Sequence, residues 1–286
     1  MEWQDVQGKR YPGYGRCIYC GSDGGADGLR DEHIIPFSLG GDTYIEKASC
    51  RECERKTNPV DTHLGRSVFG QYRIHAGVQT RNRRERPGVL PANFTVRGEG
   101  VSLDLPIKDH PYALALPVWG DAGFFRSVPI DGPFPEPYFH IYHWTPPNVR
   151  QTLSLSGNDD YMIWASGRVN VSLFARGIAK IAYCHTVVRY GLNGFRHLAL
   201  PDLILGTCPA ISYFVGGPTK NPPRKLVAKA LHAIRFSDLT GKDSPLKLHV
   251  VSVRLFAHSG TEQHGMPIYH VIVGAPKLAS TPSVVP

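Results

Sequence analysis

Two Cys-x-x-Cys pairs, Cys17-Ile-Tyr-Cys20 and Cys50-Arg-Glu-Cys53, bracket 29 residues rich in Gly and Asp. Zinc takes four tetrahedral ligands with Zn–S near ~2.3 Å, and one such turn can place both of its sulfurs on one ion. Two turns on the same ion cross-link the ends of a segment too small to bury an adequate core by itself. The pattern therefore reads as a structural Zn²⁺ held by Cys17, Cys20, Cys50 and Cys53. A thioredoxin-like redox pair would need one such turn opening a helix in a βαβ setting, which does not occur here. A bare zinc ribbon without catalysis stays open on the cysteines alone. Cys184 and Cys208 lie in apolar surroundings and read as small core residues.

The residues between the pairs carry the chemistry. Asp31-Glu32-His33-Ile34-Ile35-Pro36 sets an acid beside a histidine at the start of an apolar, β-branched run. His33 to Phe37 reads as a short strand ended by Pro36, and Gly40-Gly41 as a turn. A helix is expected from Ala48 to Asn58, with Ser49 as its N-cap and Pro59 ending or kinking it. Asp61 and His63, beyond Pro59, read as a solvated polar turn, with an approach to a metal ion as the lesser alternative. In order, CIYC–(x10)–DEHIIPFSLGG–(x8)–CREC resembles the HNH (ββα-metal) endonuclease family over Cys17 to about Asn58.

That resemblance implies divalent-metal-dependent hydrolysis of DNA phosphodiester bonds. Such hydrolysis needs a water nucleophile deprotonated near neutral pH and relief of charge on the leaving oxygen. A histidine with pKa near ~6.5 can take the proton, and a divalent ion on oxygen ligands can offset the charge. By the family pattern His33 is the general base and Glu32 a metal ligand. Glu54 and Asn58 complete the Mg²⁺ or Mn²⁺ set, four apart and on one face of a helix. Two features depart from the pattern: Glu54 replaces Asn or His, and Asp42–Ser49 contains no asparagine. They keep two alternatives in view, a zinc-stabilised DNA-binding protein with a degenerate HNH core and a nuclease acting on RNA.

Charge is divided along the chain. Residues 1–66 carry 9 basic and 11 acidic side chains, residues 67–90 carry 5 and 1, and residues 91–286 carry 18 and 12. Holding a polyanion thus falls to residues 67 onward. Arg73, Arg81, Arg83, Arg84 and Arg86 are the DNA-contact candidates, while Phe69 and Tyr72 read as core. The division expected is a 1–66 nuclease module, a 67–90 basic connector, and a β-rich α+β domain over 91–286 that selects the DNA. Ser172–Gly191 has the strongest helical spacing in the chain, and KLHVVSVRLFAH with IYHVIVGAP reads as an antiparallel pair. The other histidines, scattered without ligand spacing, read as structural. No run of eighteen apolar residues and no signal-peptide core occurs, so a cytoplasmic location without membrane is expected. Cutting both strands from one active site takes two events and is compatible with a homodimer, for which no motif speaks.

Overall fold

The computed structural model describes residues 3–5, 8–79, 87–156, 159–164, 169–217, 231–240, 247–259 and 265–277. The architecture is α+β, with a hairpin-and-helix unit at the N-terminal end and mainly β-structure beyond it. The hairpin pairs β1 (Leu29–His33) with β2 (Tyr44–Cys50), from Leu29 opposite Cys50 to His33 opposite Tyr44. Between Arg30 and Glu32 the register slips: β2 advances from Ser49 to Ile45 while β1 advances two residues. Lys47, in this bulge, takes a left-handed φ of 46°, and bulges of this kind re-aim the side chains around them.

The strand expected over His33–Phe37 therefore lies one segment earlier and ends at His33. Ile34 and Ile35 leave the ladder for the core, and Pro36 precedes a 3₁₀ turn over Phe37–Leu39. Gly40 closes that turn with φ 89°, and a Cβ on Gly41 would lie 2.0 Å from the Ile35 carbonyl oxygen.

The first helix also departs from expectation. α1 spans Arg51–Thr62, Ser49 stays in β2, and Cys50 is the N-cap without a side-chain cap bond. Pro59 lies inside the helix, which continues through a π-helical turn at His63–Val68 into α2 (Gly70–His75). An internal proline removes one helical hydrogen bond and costs about 3 kcal/mol in an isolated helix. Here contacts on both sides of Pro59 hold the segment helical: two cysteines at its start and Asp61, paired with Lys180, beyond it. Asp61 and His63 are thus not a solvated turn, and His63 is buried.

Two small sheets follow. β3 (Val89–Val96) pairs with β4 (Glu99–Pro106), β5 (Tyr112–Val118) pairs with β6 (Tyr138–Trp144), and β7 (Tyr161–Trp164) lies on the other edge of β3. Ala92, Phe94, Leu105 and Val149 form a small core of their own beside β3. The expected central helix is α3 (Val171–Tyr190); the Asn170 side chain caps it by accepting from the Leu173 N–H, and Gly191 ends it. It is buried almost all round from Phe174 to Val187, as befits a helix through the middle of a core.

α3 packs on an antiparallel sheet whose centre is β8 (Ala233–Thr240), β9 (Lys247–Arg254) and β10 (Tyr269–Pro276). The last two are the expected C-terminal pair. The hairpin, α3 and this sheet share one hydrophobic core that runs in sequence from Cys17 to Ala275. α3 approaches the turn after α1 so closely that a Cβ on Gly177 would lie 2.5 Å from Leu64 Cδ1. Cys184 is fully buried on α3, whereas Cys208 is half-buried. Among the described residues, no helix is long and apolar enough to cross a membrane.

Candidate functional site

The four cysteines converge. Cys17 and Cys20 lie in a turn closed by hydrogen bonds from Gly21 N to Cys17 O and from Cys17 N to Ser22 O. Ile18 N donates to Ala48 O, which fastens the turn to β2. Cys50 ends β2 and Cys53 sits in the first turn of α1. All four sulfurs lie within 4.8 Å of one another, the one group of this kind among the described residues. A tetrahedral ion with Zn–S near ~2.3 Å spaces its sulfurs roughly 3.8 Å apart, and those of Cys20 and Cys50 are 3.6 Å apart. The hydrogen bond from Cys53 holds the Cys17 thiol down at about 4, while that contact, burial and the Cys17 charge drive Cys53 far up. Four soft sulfur donors gathered on one centre are what a thiophilic cation takes up, so donor set and spacing fit structural zinc.

Beside this cluster β1 and α1 form the walls of a cleft of about 500 Å³. His33 reaches it from the end of β1, its ring 5.9 Å from Phe37 and 5.6 Å from Tyr44, centroid to centroid. From α1 come Glu54, Asn58 and Asp61, spaced four and three residues apart and therefore on one face. Their oxygens are hard donors of the type Mg²⁺ and Mn²⁺ accept. Glu54 is in an ion pair with Arg30, 3.1 Å away on β1.

Asp31 and Glu32 diverge as neighbours on a strand should. Asp31 is exposed and accepts from Lys47 N at 3.0 Å. Glu32 is buried and its Oε1 lies 2.7 Å from the Lys180 ammonium. The same ammonium is 2.7 Å from Asp61 Oδ2 and 3.0 Å from Oδ1. Burial by itself lowers the pKa of Lys180, but Asp61 and Glu32 outweigh it and hold the ammonium above the ordinary lysine value. Burial raises Glu32, and the nearby Asp61 adds to that, while Lys180 pulls the other way.

Of the expected DNA contacts, Arg73 lines the cleft and donates to the Ser38 carbonyl at 3.2 Å. Arg81, Arg83, Arg84 and Arg86 lie outside the described residues. The cleft also contains Asp61, for which the sequence left an approach to the metal as the lesser reading, and Arg66 and, just beneath it, Lys180, which do not stand out in the sequence as site residues. The signal for Lys180 was faint: one charge inside the apolar run GIAKIAYC.

A paired-cysteine clasp joining a β-hairpin to a helix, with a histidine and oxygen donors across one cleft, has the build of a ββα-metal module. Residues 17–69 match the model of a family described as HNH endonuclease. The C-terminal region is not characterised by any family, and no curated protein or solved structure matches the chain. The match makes residues 17–69 similar to nucleases of the HNH type, which act on nucleic acid.

Proposed function

We propose that the protein is a divalent-metal-dependent endonuclease that hydrolyses DNA phosphodiester bonds at the cleft between β1 and α1. The observation that carries this reading is the placement of His33 across the cleft from Glu54 and Asn58, on walls clasped by the four cysteines. His33 takes a proton from water. The resulting hydroxide attacks phosphorus, the P–O3′ bond breaks, and the leaving oxygen takes up a proton, giving a 5′-phosphate and a 3′-hydroxyl. Glu54 and Asn58, with Glu32 at the floor and Asp61 one turn on, would hold Mg²⁺ or Mn²⁺, which when bound offsets charge on the phosphate and leaving oxygen. Arg66 and Arg73 lie where they can neutralise flanking phosphates, with Arg81, Arg83, Arg84 and Arg86 continuing the basic stretch.

A second reading has its own support. Glu32 is engaged by Lys180 and Glu54 by Arg30, which would suit a zinc-stabilised DNA-binding protein whose catalytic core is degenerate. Incubating the zinc-loaded protein with supercoiled plasmid and with structured RNA, each with Mg²⁺ or Mn²⁺, separates them. Nicking or linearisation of the plasmid supports the nuclease reading. Tight plasmid binding with neither polymer cut would establish the second reading, and cleavage confined to RNA would move the substrate.

A further inference from the structure

Lys180 is the unusual group in this molecule. It sits halfway along α3, in the C-terminal region that no family characterises, and its ammonium is completely buried. An ammonium has three N–H donors, and three residues receive them. Glu32 is at 2.7 Å, Asp61 at 2.7 and 3.0 Å, and the carbonyl oxygen of His33 at 3.4 Å. One acceptor lies on the residue before His33, one on His33 itself, and one on the α1 face that carries Glu54 and Asn58. A lysine serving only to fill core volume would not need these partners, because an apolar side chain fills it without desolvating a charge.

Neighbouring contacts on both sides of Lys180 fix the same helix against the same module. His63 Nε2 accepts from Asn170 N, Arg176 donates to Lys56 O, and Tyr183 donates to Ile18 O. With Gly177 against Leu64, they leave Lys180 little freedom to follow a displaced strand.

We infer that Lys180 is a positioning residue of the nuclease centre, holding the His33 end of β1 and the metal-binding face of α1 in fixed register from outside the HNH module. This rests on the proposed nuclease reading. It follows that the region beyond residue 69 contributes to the chemistry itself and not to substrate choice alone. Lys180 touches neither water nor phosphate in this role; it sets the distance between the base and the opposite wall. Loss of that register should slow the bond-breaking step and leave DNA binding, which depends on Arg66 and the basic stretch after it, nearly intact.

The test compares full-length wild type, Lys180→Met, Lys180→Arg, Glu32→Gln and the double variant Glu32→Gln/Lys180→Met. Zinc content, melting temperature, kcat and KM on a labelled duplex with Mn²⁺, and Mn²⁺ affinity by calorimetry are measured for each. Lys180→Met is expected to keep its zinc, lose at least about tenfold in kcat and in Mn²⁺ affinity, and keep KM within about twofold. Lys180→Arg, which retains the charge, should fall between it and the wild type.

If Lys180→Met does not fold, the comparison passes to Glu32→Gln against the double variant. Both members of that pair lack the Glu32 charge and keep Asp61, so the lysine is the one difference between them. A further loss of about tenfold in kcat on adding Lys180→Met is then expected. A folded variant lacking Lys180 that turns over as fast as its parent overturns the inference and leaves the nuclease reading standing. A wild type that cuts nothing while holding zinc overturns both.

Discussion

His232 Nε2 donates to the carbonyl oxygen of Leu39 at 2.8 Å, tying the residue before β8 to the turn that follows β1. The direction of that bond follows from the other nitrogen. His232 Nδ1 receives the N–H of Phe256 at 3.2 Å, and an amide N–H can only donate. The buried ring is therefore neutral with its proton on Nε2.

Neutrality here has a pH consequence. Burial pushes His232 down to about 4, and burial followed by the nearby Arg189 does the same to His185. In the unfolded chain both titrate near ~6.5. Between the two values the unfolded state binds protons that the folded state refuses. Stability is thus fully present above about pH 6.5 and is lost as pH falls toward 4, by up to about 3 kcal/mol for each ring. Urea midpoints measured from pH 7.5 to 4.5 should decline steadily. His232→Asn, which keeps an acceptor for Phe256 N and does not titrate, should start lower and decline less steeply. Parallel curves for the two proteins would refute this assignment.

The continuous core ties the cysteine cluster to α3 and the large sheet. Cys17, Cys50 and Cys53 belong to the same apolar cluster as α3 and the strands of the large sheet. Cys53→Ser should bind less than one zinc per chain and lower the melting temperature of a single calorimetric transition spanning hairpin, α3 and sheet. Two transitions, with zinc acting only on a small early one, would show instead that the hairpin-helix unit folds independently.

Gly177 tests how tightly α3 is seated. Alanine in a helix interior ordinarily gains about 1 kcal/mol over glycine, yet its Cβ would lie 2.5 Å from the fully buried Leu64 side chain. Overpacking of this kind costs about 1–3 kcal/mol, so after that gain is subtracted Gly177→Ala is expected to destabilise by up to about 2 kcal/mol. Combining it with Leu64→Ala should cost less than the two changes added together. Strict additivity in denaturant titrations would mean that the two side chains do not compete for space.

Arg66 probes the path of the nucleic acid. It is exposed and lines the cleft. If it neutralises one phosphate, Arg66→Ala lowers the slope of log affinity against log salt by about 0.9, with little change in melting temperature. An unchanged slope would place the polyanion elsewhere.

Local chemistry was readable in the chain and long-range pairing was not. The cysteine clasp and the acid-histidine strand announce themselves by spacing within about forty residues. α3 does so by its apolar period and by Gly191. Local rules stop a helix at Pro59, whereas the cysteine contacts before it and the Lys180 pair beyond it carry α1 on to Thr62. The strand was placed late because a β-branched run looks like a strand even when Ile34 and Ile35 are turning into the core. Lys180 meets Asp61 across 119 residues, and no periodicity in either segment encodes that meeting.

The most direct test of the central claim is the rate at which the zinc-loaded protein cuts supercoiled plasmid in Mn²⁺, beside His33→Ala at equal zinc content and melting temperature. His33 is half-buried and supplies no cysteine ligand, so the variant should fold like the wild type. Its cutting rate should fall by at least about a hundredfold, within the range expected when a general base is lost. Equal rates for the two proteins would contradict the assignment of His33 and with it the account of this cleft as the catalytic centre.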